Sequence, residues 1–177
     1  MILFLSLLAA VGGEYCGSCG QCPSACVNVD FGSCGNACCK LDLQIPQRST
    51  EDIMQRLNTS LTEGGADGNF SASLLAEGVR GFADLRSAGK DIDFIGQFVH
   101  TTYVGYRDSV SLTLAPSFQT STAVRLFSYS LIGGAYGDAG QGFLNLKMVI
   151  DSLDLDYYEL SHADDSCPGP LASFASH

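Results

Sequence analysis

The 177-residue chain has few basic residues. It contains nine Lys and Arg residues against 19 Asp and Glu residues, and its formal net charge is −10. Lysine occurs only at Lys40, Lys90 and Lys147. Because an acidic surface is repelled by phosphate backbones and by anionic lipid head groups, we expect neither nucleic acid nor an anionic membrane as a partner.

Long apolar stretches are also missing. The N-terminal run over residues 2–11 is interrupted only by Ser6, and no later stretch approaches the roughly 20 residues that a membrane-spanning helix needs. A short apolar run followed by small residues up to Gly13 is typical of a secretory signal peptide cleaved before Glu14. No Lys or Arg precedes the run, so a buried N-terminal strand or helix is the alternative. We predict a signal peptide at residues 1–13 and a secreted mature protein without a membrane span.

Cysteine, by contrast, is concentrated in one place. Seven of the eight cysteines lie within residues 16–39, and the eighth is Cys167. An oxidising compartment converts clustered thiols into disulfides, and an even number allows all of them to pair. Seven cannot pair among themselves, so we expect one long-range bridge to Cys167. The predicted disulfide cysteines are Cys16, Cys19, Cys22, Cys26, Cys34, Cys38, Cys39 and Cys167.

A metal site is the main alternative for these cysteines. Cys16, Cys19 and Cys22 have the spacing of zinc ligands. The later cysteines do not repeat that spacing cleanly, and no His lies nearby. A redox Cys-x-x-Cys site would need a thioredoxin-like strand before it, and none is visible. We therefore favour disulfides and expect no metal and no cofactor.

Two sequons agree with passage through the secretory pathway. Asn58-Thr59-Ser60 and Asn69-Phe70-Ser71 both match the acceptor sequence for N-glycosylation. Such triplets also arise by chance. We predict Asn58 and Asn69 as glycosylation sites.

The mature chain divides into three regions by composition. Residues 14–40 form a cysteine-rich module, residues 41–155 a globular domain, and residues 156–177 an acidic tail that ends in Pro, Gly and Ser and is tied by Cys167. The globular region is long enough for one domain with its own core.

Periodicity in the globular region predicts an α+β fold. Alternating apolar residues predict strands at residues 41–45, 92–106, 108–117 and 122–132. A helix is expected after Ser49 or Thr50, and a terminal helix is expected to start at an Asp138 cap. Residues 70–86 suit either state. Together these elements predict a two-layer domain, an antiparallel sheet with helices packed on one face. The apolar face of the terminal helix is Phe143, Leu146, Val149, Ile150 and Leu153.

Two segments resemble a known family. Residues 98–112, "FVHTTYVGYRDSVSL", and 124–146, "VRLFSYSLIGGAYGDAGQGFLNL", are similar to the domain-of-unknown-function family catalogued as 1499. The resemblance spans about residues 90–155 and departs from the family pattern at Ser109, Ser111 and Leu131. It implies a fold and a compact secreted domain, but no reaction. The matching residues are Phe98, Val99, His100, Gly105, Tyr106, Asp108, Val110, Val124, Arg125, Ser128, Ser130, Gly133, Gly137, Asp138, Gly140 and Gln141.

Signals of catalysis are weak. A hydrolase would use His100, Asp108 and Arg125, but the Gly-x-Ser-x-Gly nucleophile elbow is absent. The ordinary interpretation of His100 is a hydrogen-bonded strand residue. We predict a secreted, non-catalytic domain that binds, or builds part of, an extracellular or surface assembly, with the hydrolase as the alternative. The predicted binding residues are Arg125, Phe127 and Tyr129, because Arg and aromatic side chains anchor interfaces.

Overall fold

The computed structural model describes residues 38–76, 78–132 and 140–162. The predicted signal peptide, six of the eight cysteines and Asp138 lie outside these residues. The described strands are β1 (Cys38–Ile45), β2 (Phe70–Ala72), β3 (Leu74–Ala76), β4 (Val79–Asp84), β5 (Phe94–Thr101), β6 (Arg107–Ser117), β7 (Ser121–Ser130) and β8 (Tyr158–His162). The described α-helices are α1 (Thr50–Thr62) and α2 (Gln141–Asp151).

The strands form one antiparallel sheet in the order β3-β4-β5-β6-β7-β1-β8, and β2 pairs separately with β5. Its centre is built from the hairpins β5–β6 and β6–β7, which are joined by short turns. Strand β1 returns beside β7, with Leu41 opposite Leu126. The predicted α+β fold with an antiparallel sheet is confirmed.

Both helices pack on one face of this sheet, which we call the inner face. Leu57 of α1 and Val149 of α2 are fully buried in one core cluster with Leu41, Leu112 and Leu126 of the central strands. Successive strand residues point to opposite faces, so the even-numbered residues of β5, β6 and β7 reach this core. Phe127 belongs to a separate cluster on the other face, the outer face.

Helix α1 begins and packs as its sequence predicts. The Ser49 side chain accepts a hydrogen bond from the Asp52 amide at 3.2 Å, which satisfies one of the unpaired donors at the helix start. Ile53, Leu57 and Leu61 recur at helical spacing and are all fully buried.

Helix α2 differs from the prediction at its start. Its N-cap residue is Gly140 in a left-handed conformation, whereas the expected cap, Asp138, lies outside the described residues. The Gln141 side-chain amide donates to the Asn145 side chain at 2.8 Å. The expected apolar face is correct, since Leu146, Val149 and Ile150 are buried.

The ends of the globular region also extend beyond the predicted bounds. Strand β1 already begins at Cys38, within the expected cysteine-rich module, and β8 lies within the expected tail and pairs with β1. Residues 70–86, which periodicity left open, form three short strands. None of the described residues belongs to a helix with the length and apolar content that crossing a membrane requires.

Cys38 and Cys39 stand at the start of β1 and are both fully buried. Each is disulfide-bonded. Because adjacent strand residues point to opposite faces, Cys39 enters the main core while Cys38 packs with Phe127 on the outer face.

Candidate functional site

Polar side chains gather in the core at one end of the sheet. His100 of β5 lies opposite Asp108 of β6, and Asp108 lies opposite Ser130 of β7. All three are on the inner face and are at most 5% exposed. Asp67, Ser128 and Asn145 lie next to them. We call all six residues the polar cluster: Asp67, His100, Asp108, Ser128, Ser130 and Asn145.

Asn145 holds the α2 side of the polar cluster. It is fully buried, and its side-chain amide donates to Asp108 Oδ2 at 2.9 Å and to Ser128 Oγ at 3.1 Å. Its own amide oxygen accepts from the Gln141 side chain at 2.8 Å. Buried polar groups are costly unless they are hydrogen-bonded, so this network fastens α2 to β6 and β7.

His100 forms the side of the polar cluster away from helix α2. Its Nε2 lies 2.8 Å from Asp67 Oδ2, and its ring stacks at a tilt on Phe70, with ring centroids 4.8 Å apart. The imidazole is enclosed, with a side-chain exposure of 3%. Its Nδ1 has no hydrogen-bond partner within the part of the chain that the structure describes.

The pKa of the Asp67 carboxyl reflects this contact. Burial raises that pKa, but hydrogen bonds from His100 and Asn69 outweigh burial, so the pKa lies below its ordinary value of 3.8. Asp67 is therefore a carboxylate at neutral pH and accepts from the buried ring. The His100–Asp67 contact ties β5 to the short 3₁₀ turn over Gly65–Asp67.

Arg125, the third residue of the hydrolase hypothesis, lies elsewhere. It projects from the outer face of β7, where its Nε donates to Asp42 Oδ1 at 2.9 Å. His100 and Asp108 point into the core on the inner face. The three side chains do not converge, because strand alternation places the sheet between them.

The predicted binding residues have unequal exposure. The Arg125 side chain is 45% exposed, and Phe127 is 1% exposed. Tyr129 is half-buried and its ring lies 5.6 Å from that of Phe127. Of the three, only Arg125 offers an open surface, and its guanidinium is already paired with a carboxylate.

Two of the exposed aromatics among the described residues lie close together in the turn between β5 and β6. Tyr103 is 102% exposed, Val104 68% and Tyr106 57%. We call this segment, residues 102–106, the turn crown. Two further apolar side chains, Leu131 and Ile132, are also exposed. They lie at the same end of the sheet, since the Leu131 amide donates to the Arg107 carbonyl at the start of β6.

Hydrogen bonds hold the turn crown in one shape. Thr102 is the central residue: its amide donates to the Tyr106 carbonyl at 2.7 Å, its carbonyl accepts from Gly105 at 2.8 Å, and its hydroxyl accepts from the Tyr106 amide at 2.9 Å. Gly105 has a φ of +89°, which a residue with a side chain rarely adopts. The turn therefore presents Tyr103 and Val104 outward on a fixed backbone.

A recess at the opposite end of the sheet is lined by hydroxyl-bearing residues and Arg48. Most of its polar groups are already used inside the protein. Arg48 pairs with Asp52 at 3.3 Å, and the Thr50 hydroxyl donates to Asp93. Fewer groups in this recess than in the turn crown are available to contact a ligand.

Sequence reasoning identified His100 and Asp108 but missed Asp67, Asn145 and the turn crown. Helical spacing places Asn145 on the same face as Leu146 and Val149, and an Asn among buried apolar residues is a signal for an internal hydrogen-bond network. The alternation of β5 ends at Thr101, and the two tyrosines that flank Val104 and Gly105 are a signal for an aromatic turn.

The comparisons with known proteins assign no family. No family model matches the chain, and no curated protein matches it. The resemblance to family 1499 therefore stays a prediction. Within the described ranges, no group of three His, Cys, Asp or Glu side chains is placed to hold a metal ion.

Three solved structures are similar in part. A protein from Chromobacterium violaceum is 10% identical with a TM-score of 0.35, over 64% of this chain and 94% of that chain. A START superfamily protein from Mycobacterium smegmatis is 8% identical with a TM-score of 0.36, over 67% and 95%. A conserved protein from Geobacillus kaustophilus is 14% identical with a TM-score of 0.33, over 70% and 99%. Likenesses of this size do not indicate a function.

Proposed function

We propose that this protein is a secreted, disulfide-stabilised, non-catalytic binding domain of an extracellular or surface assembly, and that the turn crown is its contact surface. One observation carries the proposal: three large side chains within four positions, Tyr103, Val104 and Tyr106, are more than half exposed on a turn fixed by hydrogen bonds. Apolar side chains that remain in water at such a turn favour a contact surface.

The chemistry of the turn crown suits protein recognition. Tyrosine supplies a large apolar ring with a hydroxyl at its edge, and it is enriched among residues that dominate binding energy. A turn already held by the three hydrogen bonds of Thr102 loses little conformational freedom when it binds, so less of the contact energy is spent on ordering.

The enclosure of the polar cluster supports a non-catalytic role. A general base must come within hydrogen-bond reach of its substrate, and His100 is buried with its Nε2 already bound to Asp67. Asp108 is 4% exposed and is bound by Asn145. These contacts are those of a structural network that fastens helix α2 and the 3₁₀ turn to the sheet.

Secretion is supported by the leader-like N-terminus, the cysteine content and the acidic composition. The bonded state of Cys38 and Cys39 is consistent with an oxidising compartment. The full cysteine-rich module remains part of the proposal. Its test is the intact mass of the secreted protein: reduction should add eight protons for eight paired cysteines, whereas bound zinc with eight alkylatable thiols would contradict it.

A binding experiment tests whether the turn crown is the contact surface. The tagged, secreted chain is applied to the extracellular surface material of its source, and the retained fraction is compared with that of Tyr103→Ser and Tyr106→Ser. Phe118→Ser is the matched control, because Phe118 is 77% exposed at the opposite turn of β6. We expect the two tyrosine variants to lose retention and the control to keep it. Equal retention of all three variants would refute the turn crown as the contact surface.

Ester hydrolysis tests the enzyme alternative. We expect the purified chain to hydrolyse p-nitrophenyl acetate no faster than a His100→Gln variant does. A rate that falls in His100→Gln and is unchanged in Tyr103→Ser would instead favour catalysis at the polar cluster, with a substrate path that opens in solution.

A further inference from the structure

We infer that only one of the two sequons carries a glycan in the folded protein: Asn69 is the N-glycosylation site and Asn58 is not. This inference rests on the secretion that is part of the proposed function. Sequence alone treats Asn58 and Asn69 alike, since both match the acceptor pattern. The contacts of the two side chains separate them.

Asn69 has room for a glycan. It is exposed in the short link between the 3₁₀ turn over Gly65–Asp67 and strand β2. Its backbone amide donates to Asp67 Oδ1 at 3.1 Å and its side-chain Nδ2 to Asp67 Oδ2 at 3.0 Å, so the link is a compact, outward-facing turn. N-glycosylation replaces one of the two hydrogens on Nδ2, which leaves the other to donate. Glycosylated asparagines typically stand in surface loops of this kind.

Asn58 lacks that room. It lies in the interior of helix α1 and is half-buried. Its side-chain oxygen faces Gly81 of β4 so closely that a Cβ placed on that glycine would be 2.9 Å away. A sugar on Asn58 would have to emerge from the boundary between α1 and β4. The packing of α1 against the sheet would then have to loosen, and the buried side chains of Leu57 and Leu61 contribute to that packing.

The serines at the third position of the two sequons also differ in exposure. Ser71 is exposed on β2, whereas Ser60 is half-buried on α1. Glycans are attached before folding is complete, so the folded structure acts as a filter on which modified chains reach the native state. That filter admits a glycan at Asn69 and disfavours one at Asn58.

The position of Asn69 also places its glycan beside the turn crown. The Asn69 carbonyl accepts a hydrogen bond from the Thr101 amide at 3.0 Å, one residue before Thr102. A glycan there stands at the edge of the surface that carries Tyr103. The partner must then approach the turn crown past the glycan.

The test is expression of the full chain in a eukaryotic secretory host, followed by intact-mass analysis before and after enzymatic removal of N-glycans. Three proteins are compared: wild type, Asn69→Gln and Asn58→Gln. We expect wild type to carry one glycan, Asn58→Gln to keep it and Asn69→Gln to lose it. Peptide mapping should find the glycan on the peptide that contains Phe70.

A secreted wild type without a glycan, or one that loses its glycan in Asn58→Gln, would overturn the inference while leaving secretion intact. A wild type that stays inside the cell would instead contradict the proposed secretion. In that case the same three proteins with a heterologous leader in place of residues 1–13 still decide between Asn69 and Asn58, because the leader restores access to the glycosylation machinery.

Discussion

The polar cluster and the turn crown lie at the same end of the sheet but have opposite surroundings. His100 and Asp108, at the ends of β5 and β6 that meet the turn, are 2% and 4% exposed. Tyr103 and Tyr106, within six residues of His100 along the chain, are 102% and 57% exposed. Side chains that could perform chemistry are enclosed, and apolar side chains that usually fill a core face the solvent.

In the proposed function, the polar cluster maintains the fold and the turn crown contacts the partner. The polar cluster has partners for most of its groups within the protein, and those partners come from α2, the 3₁₀ turn and three strands. The turn crown is held by three internal hydrogen bonds while its side chains extend outward. Substitutions should therefore reduce stability at the polar cluster and reduce binding at the turn crown.

The largest effect on stability is expected from Asn145→Ala. Removal of this fully buried amide leaves Asp108 and Ser128 without one donor each in the core. We expect the free energy of unfolding to fall by about 3 kcal/mol, because two buried polar groups that each lose a hydrogen-bond donor are costly. Chemical denaturation measures it. Leu144→Ala, at the neighbouring exposed position, is the control and should change it by less than about 0.5 kcal/mol. Equal effects of the two variants would mean that the network contributes nothing.

A smaller loss is expected from Gly105→Ala in the turn crown. A Cβ at this position would meet no atom within 4 Å, so the cost arises only from the φ of +89°. We expect a loss of about 1 kcal/mol in unfolding free energy together with weaker surface retention, because the turn would present Tyr103 less rigidly. Val104→Ala keeps the backbone and should leave stability nearly unchanged. If Gly105→Ala is as stable as wild type, the left-handed turn is not a constraint.

The pH dependence of stability tests the contribution of the Asp67 carboxylate to the polar cluster. Because the pKa of Asp67 is lower in the folded protein than its ordinary 3.8, its carboxylate stabilises the fold above that value, and this stabilisation is lost as the pH falls through the folded pKa. Asp67→Asn should remove it. The side chain is 31% exposed, so we expect at most about 1 kcal/mol at pH 7. The unfolding free energies of the two proteins should converge once the pH has fallen below the folded pKa of Asp67, which is itself lower than 3.8. A gap that persists there would assign the effect to something other than the charge.

The smallest effect on stability is expected from Tyr103→Ser. A side chain that is 102% exposed makes no packing contribution to lose, so the denaturation midpoint should stay within the equivalent of about 0.5 kcal/mol. Surface retention should nevertheless fall. A clear drop in the midpoint would show that Tyr103 packs against the protein in solution and is unavailable to a partner.

The sequence predicted much of the fold because its local patterns agree with its packing. The alternation of Val110, Leu112 and Leu114 and the helical spacing of Ile53, Leu57 and Leu61 identify side chains that are all fully buried. Residues 70–76 could not be assigned, because β2 and β3 have only three residues each and are too short to show a period. Strand β8 was missed because Tyr158 and Leu160 are exposed at the sheet edge, within a segment of acidic composition.

The candidate site was less predictable because it depends on register. Strand alternation could have separated Arg125 from His100, but only the pairing of β5, β6 and β7 fixes which face each one occupies. The contact between His100 and Asp67 joins residues 33 positions apart through an irregular turn, which has no periodic signal. The exposure of Phe127 was also misjudged, since its alternation with Leu126 identifies its face but not whether that face is open.

Site-specific photo-cross-linking can show whether Tyr103 contacts a partner. A photoreactive aromatic residue is placed at position 103 in one protein and at position 118 in another, and each is irradiated on the extracellular surface material of its source. Tyr103 and Phe118 are both strongly exposed aromatics, at opposite ends of β6. We expect a discrete adduct of higher mass from position 103 and none from position 118. An adduct from position 118 alone, or none from position 103 while the protein is still retained, would contradict it.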